Sequence, residues 1–562
     1  MRWAEYMVFL ALVVAGAQPI GRYLAALFEG KPVFFDAVRR PIESLLFRAL
    51  GVNSQKEMSA GEYILCFCLF GLLGTLWLFV LFLAQTLFPG EPAAHYLTTP
   101  MTVDLAGNAA ISFATTATWQ AYGGESTLRY ATDLLGLVSQ NFLAGAAGLA
   151  VGIAFIRGFS RTQSAALGNF WVDIVRATLW VLLPVSFVGS LVLIWQGVPL
   201  NLAPYTQAHT LNGAVQTIAQ GPVAALEFIK NLGTNGGGFF NANGAHPFEN
   251  PTPLTNFLEM LAIAVVPAAL TVTFGQMTGR PRAGFALLMV MVALFAVGLV
   301  VCDVAEQQSS PVMAALHVDG GNMEGKEVRF GIGESVLTEL VTSNGATGST
   351  NSMPDSYQPI GVLVPLMNML LGDIVFGGLG SGLYGMVIVA LVAVFLGGLM
   401  IGRTPAYLGK QIRPEEAKLI ALYILLTPCV VLGFAAVALT TNAGLAGLTT
   451  NSGPRGLTEV IFAYASSMAS NGQAMGGLSA NSVFYNLTTA IAMLVGRFGT
   501  GALALLLAGR LAAQPRLANT AGSLPDDTWL FAVMVFGTVV VVGSLSFLPA
   551  LTLGPVVEAL HP

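Results

Sequence analysis

Residues 231–247 read NLGTNGGGFFNANGAHP, and the use made of their three consecutive glycines decides the fold. A glycine run serves as a flexible surface loop, a phosphate cradle, or a backbone held in conformations that side chains oppose. The surrounding chain selects among these. Of 562 residues, 55% are hydrophobic and only 9% charged, and the mean hydropathy is +0.72. A soluble domain carries about 25% charged residues. Long apolar runs without alternation describe an all-α polytopic membrane protein rather than a β-barrel. In such a chain, non-helical backbone at membrane depth survives only where protein buries it or where it lines an aqueous cavity.

Ten runs are long enough to cross a hydrocarbon core of about 30 Å. They lie near 4–27, 62–88, 130–156, 170–196, 254–277, 283–303, 378–402, 417–440, 482–511 and 527–552. The connections after the odd-numbered runs hold 16 of the 24 Lys and Arg residues, among them Arg39, Arg157, Arg280, Arg403 and Arg510. The positive-inside rule therefore predicts both termini outside and these basic loops in the cytoplasm. Arg2 with Ala15-Gly16-Ala17 imitates a cleavable signal, but Glu5 and apolar sequence continuing to about Leu27 favour a retained first span.

The outside connections each hold a moderately apolar stretch leading into a polar or Gly-rich turn. These are GNAAISFATTATWQAYGGE (107–125), GPVAALEFIKNLGTNGGGFF (221–240), GIGESVLTELVTSNGATGS (331–349) and LTEVIFAYASSMASNGQAMGG (457–477). Each reads as a half-helix of about ten to fifteen residues, too short to span and suited to re-entry. An Asn then heads the next apolar run, at Asn141, Asn256, Asn368 and Asn486, with spacings of 115, 112 and 118 residues. Span, half-helix, turn and span thus recur as an internal repeat. The organisation is an added span and loop over 1–61, repeats over 62–156, 170–277, 283–402 and 417–511, and an added span over 527–552.

Four such turns can meet on a pseudo-fourfold axis, where stacked carbonyl oxygens replace the hydration shell of a small cation. Stacking carbonyls on one side needs alternating backbone hands, which Gly supplies and Asn tolerates. The turns hold Asn235-Gly236-Gly237, Asn344-Gly345 and Asn471-Gly472, while the first offers Thr116-Ala117-Thr118-Trp119-Gln120, with Trp119 placed to brace the turn and the Gln120 amide to bond a neighbouring one. None is charged, whereas a divalent site recruits carboxylates; neutral oxygens suit K⁺ best. Ordinary extracellular turns would explain one such turn, not four after half-helices at a regular period.

Other chemistry is thin. The net charge of −5 gives no hint of a nucleic-acid partner. Cys66, Cys68, Cys302 and Cys429 lie in apolar runs without zinc spacing, and the five histidines are scattered. GGNMEGKE (320–327) imitates a P-loop but ends in Glu327, where Mg²⁺ coordination needs Ser or Thr. GSGLYG (380–385) imitates a dinucleotide loop but lies within a membrane run. No D-K-T-G-T phosphorylation sequence is present, so the chain is not expected to hydrolyse ATP on its own.

TNGGGFFNAN, AHPFENPTPLTN, WQAYGGES, FGGLGSGLYGM and GLSANSVFYNLTTAIAM closely resemble the potassium-binding A subunit of the bacterial Kdp ATPase, over essentially the whole chain. That family belongs to the superfamily of potassium transporters with four span–pore–span repeats. The resemblance implies an ATP-driven K⁺ uptake complex in the bacterial inner membrane, with a catalytic P-type B subunit, a C subunit and a very small F subunit. K⁺ is its transported substrate, and no organic cofactor is implied. The filter positions it implies are Thr116, Ala117, Thr118 and Gln120; Thr234, Asn235, Gly236 and Gly237; Ser343, Asn344 and Gly345; and Ser470, Asn471 and Gly472. This chain has Thr116-Ala117-Thr118 where Asn-Thr-Asn is common in the family, and Asp373 where Glu is usual. The alternatives are a free-standing channel or symporter of the same superfamily, and a scaffold without transport.

Two features concern the path below the filter. From Pro359 to Gly402 the only charged residue is Asp373, across far more chain than one crossing needs. A single crossing with a break is expected, at GGLGSGLYG (377–385), where Gly378, Gly380 and Gly382 weaken the helix. Arg497 lies about 22 Å into the ninth run at 1.5 Å per residue, too deep for comfortable snorkelling; Arg176, near a cytoplasmic end, is expected to snorkel. Arg497 is expected to repel K⁺ below the filter, with Asp373 balancing it or attracting the ion.

Overall fold

Among the described residues of this computed structural model, ten helices are long and apolar enough to cross a membrane. The structure describes every residue except 1, 35, 89, 310–312, 314, 318–319, 401, 403–404, 518–526 and 561–562. Arg403 of the basic loops therefore lies outside the described residues. The spans are Arg2–Phe28, Ala60–Leu87, Tyr130–Ser160, Phe170–Trp195, Pro253–Thr278, Pro281–Glu306, Ser381–Met400, Pro414–Thr440, Val483–Ala513 and Trp529–Leu560. Their ends are built from local chemistry. Thr252 caps the fifth span reciprocally with Thr255, Pro253 opens it where no amide proton is needed, and Gly279 ends it left-handed at φ +73°.

Burial separates the spans into two rings. The third, fifth, seventh and ninth are 89, 78, 67 and 50% buried, against 22, 33, 39 and 22% for the second, fourth, sixth and eighth. The second helix of each repeat thus faces the centre and the first faces outward, with the first and tenth spans added outside. Lipid supplies no hydrophobic drive between helices, so close approach rests on small residues. In the third span a Cβ added at Gly152 would stand 2.7 Å from Gly380 Cα. The first span packs on the fifth, where Thr273 Oγ1 donates to the Gly21 carbonyl at 3.1 Å.

The half-helices are Val103–Ala114, Val223–Leu232, Gly331–Asn344 and Gly453–Ala469. The fourth, at 17 residues, exceeds the expected length because Gly453-Pro454 starts it early. In the third repeat Pro359–Leu370 is a separate twelve-residue helix, and the helix resumes at Ser381. The break therefore lies earlier than 377–385. Gly372, Asp373, Phe376, Gly378 and Gly380 have positive φ, so unwinding begins just after Leu371. Gly382 lies inside the resumed helix, where a Cβ would strike the Gly377 backbone; its lack of a side chain serves packing rather than unwinding.

Arg176 does not simply snorkel: its Nε lies 3.4 Å from Glu43 Oε1 of the helix Asp36–Ala49. Among the described residues, strands form three two-stranded antiparallel ladders in connections, the longest pairing Thr206–His209 with Val215–Ile218, Thr206 opposite Ile218.

Candidate functional site

The four turns share one backbone pattern. Thr116, Thr234, Ala346 and Ser470 adopt φ of +62°, +51°, +51° and +58°. Two residues later, Thr118, Gly236, Gly348 and Gly472 adopt +48°, +69°, +76° and +85°. Between them Ala117, Asn235, Thr347 and Asn471 are not left-handed. This is the alternation that turns successive carbonyls to one side. Five of the eight left-handed residues are not glycine, and each costs about 1–2 kcal/mol. Strain of this kind persists only where surrounding structure over-determines it, and it gathers at functional sites.

The loops also close on one another. A Cβ at Gly236 would strike the Thr347 carbonyl, one at Gly348 the Asn471 carbonyl, and one at Gly472 the Ala117 carbonyl. The fourth contact is a hydrogen bond: Thr118, standing where the others have Gly, donates through Oγ1 to the Asn235 carbonyl. Each loop thus touches the next in cyclic order, first to second, second to third, third to fourth and fourth to first.

Further bonds hold this ring. Gln120 Nε2 donates to the Gly238 carbonyl of the second loop at 3.3 Å, and the buried Trp119 packs with Ala463, Ala490 and Met493. Helices that carry the recurring asparagines are tied to half-helices or loops. The Asn141 carbonyl accepts from Asn235 Nδ2 at 2.7 Å, Asn368 donates to Ser343 Oγ at 3.0 Å, and Asn486 donates to Asp104 Oδ2 at 2.8 Å.

The third loop differs in register from the expectation. Ser343 and Asn344 are the last residues of their half-helix, and Gly345 is its cap at φ −77°. The positions equivalent to Thr234-Asn235-Gly236 are Ala346-Thr347-Gly348. The Asn-Gly cue misled because Asn344 sits on the helix and donates to the Leu340 carbonyl. A spacing signal was present: Gly236 to Asn256 and Gly348 to Asn368 are both 20 residues.

The break in the third repeat lies against the loops. Leu379 N donates to Thr234 Oγ1 at 3.0 Å, Gly378 N to the Gly345 carbonyl at 3.2 Å, and Asp373 Oδ2 accepts from Asn471 Nδ2 at 3.2 Å. The second, third and fourth loops are therefore each bonded to the unwound segment. Two cavities flank the ring. An open vestibule of about 710 Å³ has all four loops in its lining, through Thr118, Gly237, Gly348 and Gly472 among others. A smaller cavity of about 70 Å³ is lined by Ser470, Ser381, Thr427, Thr500, Gly543 and Arg497. Loop four thus reaches one cavity through Ser470 and the other through Gly472.

Arg497 is buried in a π-helical turn, Val495–Gly499, of the ninth span. Its Nη2 donates to the Ala144 carbonyl at 2.8 Å, and its guanidinium lies 5.8 Å from the Phe67 ring centre. Among the described residues no ion pair joins it to Asp373 or to any other carboxylate. Asp373 is thus not its balance; its contact is Asn471. The P-loop imitation is spent structurally, since Lys326 Nζ is buried 2.8 Å from Glu306 Oε2. No cluster of metal-binding side chains occurs among the described residues.

A family model described as the potassium-transporting ATPase A subunit, KdpA, matches residues 7–560. Similar curated proteins include a potassium-transporting ATPase potassium-binding subunit of Methylorubrum extorquens, 49% identical over 99% of this chain and 97% of that protein. The protein of the same name from Acidobacterium capsulatum is 48% identical over 99% and 98%. The solved potassium transporter TrkH from Vibrio parahaemolyticus covers 89% of this chain and 98% of its own, with a TM-score of 0.52 at 13% identity, a likeness of fold. The match over nearly every residue, joined to four strained loops closed in a ring, places this chain in the potassium-transporting ATPase A-subunit family.

Proposed function

We propose that the four loops form a K⁺ selectivity filter through which this chain admits external K⁺. As a member of its family, the chain is the potassium-binding membrane subunit of a K⁺-transporting ATPase and not its catalytic subunit. The stand-alone channel or symporter is set aside on the same ground. The filter comprises Thr116-Ala117-Thr118, Thr234-Asn235-Gly236 with Gly237, Ala346-Thr347-Gly348 and Ser470-Asn471-Gly472, braced by Gln120. The observation that carries the reading is the alternation of backbone hand in all four loops. Neutral oxygens arranged this way replace the hydration shell of a monovalent ion.

Below the filter, Asp373, Gly378 and Gly380 belong to an unwound segment that regulates passage, and Arg497 opposes straight-through flow of cations. The small cavity, bordered by Thr427 of the eighth span and Gly543 of the tenth, supports a sideways exit toward an ATP-hydrolysing subunit. The partners in this reading are a P-type B subunit, a C subunit and a small F subunit. The complex sits in the bacterial inner membrane, with both termini of this chain outside and the four repeats as its units. K⁺ titration of ATPase activity in the purified complex tests the filter. Gly236→Ser should raise half-saturating K⁺ and admit Rb⁺ or Na⁺; an unchanged curve and ion ranking would remove the loops from selection.

A further inference from the structure

The repeats place one residue at the same point behind each loop. The Ser112 carbonyl accepts from Thr118 N at 3.0 Å, the Thr342 carbonyl from Thr347 N at 3.2 Å, and the Ser466 carbonyl from Asn471 N at 2.9 Å. In the second repeat that position is Lys230, whose carbonyl accepts from Asn235 N at 2.9 Å and Gly236 N at 3.1 Å. Three small hydroxyl residues are thus matched by one lysine.

The Lys230 side chain is fully buried. Its Nζ lies 2.7 Å from Glu227 Oε2, 2.8 Å from Glu249 Oε2 and 2.7 Å from Asn243 Oδ1, so each ammonium proton has an acceptor. Two of these partners continue to the loops. Glu249 Oε1 accepts from Phe240 N at 2.9 Å, and its carboxylate fills the space beside Gly238. Asn243 Nδ2 reaches the Gly348 carbonyl of the third loop at 3.5 Å, and Ser349 Oγ reaches Asn243 Oδ1 at 3.5 Å. One ammonium therefore joins the backs of the second and third loops. Stability alone accounts poorly for such a cluster, because apolar residues of similar volume usually serve a buried position as well as an ion pair does. A registry role accounts for it better.

We propose that Lys230 is a positioning residue for ion selection: with Glu227, Glu249 and Asn243 it fixes the second loop and locks it to the third, making the filter unequal around its axis. This rests on the filter reading of the four loops. Small cations are discriminated by the number and spacing of carbonyls around them. Loosening one loop therefore lowers K⁺ affinity and narrows the difference between K⁺ and Rb⁺.

The test is K⁺ and Rb⁺ titration of ATPase activity in the purified complex carrying Lys230→Met, Lys230→Arg or Asn243→Ala, with Gly236→Ser as reference. Lys230→Met should raise half-saturating K⁺ tenfold or more and shrink the Rb⁺-to-K⁺ ratio of half-saturation. Lys230→Arg should recover part of both, and Asn243→Ala should shift both severalfold. A merely structural lysine would lower the yield of complex and its maximal rate while leaving the ion ratio at the wild-type value; that result overturns the proposal. If Lys230→Met does not assemble, Asn243→Ala, which leaves the ion pairs intact, decides it: a wild-type ratio there also overturns the proposal. If Gly236→Ser shifts the titration while these variants do not, only the role of Lys230 fails. If Gly236→Ser is also silent, the filter reading falls.

Discussion

No side chain fits at Gly236, because the Thr347 carbonyl of the next loop occupies the position of its Cβ. The same relation joins Gly348 to Asn471 and Gly472 to Ala117. A hydroxyl, Thr118 Oγ1 on the Asn235 carbonyl, completes the circuit. Displacing any one loop therefore displaces its neighbour, and the ring responds as a unit.

Gly348→Ser should behave like Gly236→Ser, whereas Gly345→Ser should not. At Gly348, with φ +76°, a side chain adds about 1–2 kcal/mol of strain and pushes the Asn471 carbonyl. Half-saturating K⁺ should rise about tenfold or more, since 1.4 kcal/mol is a factor of ten. Gly345 has an ordinary φ of −77° and lies against Ile263 and the Val341 carbonyl. Its substitution should reduce the amount of folded complex with the K⁺-to-Rb⁺ ranking kept. Parallel titrations of the two variants check this, and a changed ranking in Gly345→Ser alone would restore the Asn344-Gly345 register.

Gln120→Ala removes one neutral hydrogen bond, to the Gly238 carbonyl. Such a bond is worth about 0.5–1.5 kcal/mol, so half-saturating K⁺ should rise roughly two- to tenfold. Wild-type titration by the alanine variant would confine Gln120 to the vestibule wall.

Arg497→Met removes a buried cation that pairs with no carboxylate among the described residues. At about 8 Å and an effective dielectric of 20, a unit charge opposes a passing cation by about 2 kcal/mol, or about thirtyfold in rate. The assembled variant should leak K⁺ passively in liposomes or hydrolyse more ATP per ion moved. Tight vesicles and normal coupling would leave Arg497 with a structural role, bonding the Ala144 carbonyl.

His246 should make the loop at 239–250 sensitive to acid. Its ring stacks on Phe240 at 3.6 Å, and its Nδ1 accepts from Phe248 N at 3.1 Å, a bond that the protonated ring cannot make. Burial holds its pKa below the ordinary value of about 6.5. A depressed histidine pKa means the unfolded chain takes the proton more readily. The loop's stability is therefore intact above about pH 6.5 and declines as pH falls from there toward the depressed value. K⁺ affinity should weaken only as pH falls below about 6.5, and His246→Asn, which keeps an acceptor but cannot titrate, should flatten that dependence. An equal slope in both proteins would place the acid response elsewhere.

The ten spans, the four half-helices and a break in the seventh crossing were legible in the sequence, because each is a matter of length and polarity along the chain. A crossing needs about 20 apolar residues, and a shorter stretch ending in Gly or Asn cannot complete one. The need for alternating backbone hands was legible too, from the Asn-Gly pairs at 235–236 and 471–472, but the left-handed residues beside the glycines are Thr234 and Ser470 and not the asparagines.

Tertiary structure decided which residues of the third loop join the ring, because the 20-residue spacing that Gly348 shares with Gly236 does not hold in the first and fourth repeats, where Thr118 to Asn141 is 23 and Gly472 to Asn486 is 14 residues. Asn344-Gly345 and Thr347-Gly348 are both plausible turns locally, and the choice falls where the half-helix ends and where the Asn471 carbonyl leaves no room for a side chain. It also placed the unwound segment at residues 372–380, since bonds to Thr234, Gly345 and Asn471 come from residues far apart in sequence. Lys230 was invisible for the same reason. Within its own half-helix it pairs with Glu227, three residues away, but the link to Glu249 and Asn243 that gives it a reach to two loops exists only once the chain has folded back. Composition and period are properties of neighbours along the chain, whereas register and coupling belong to neighbours in space.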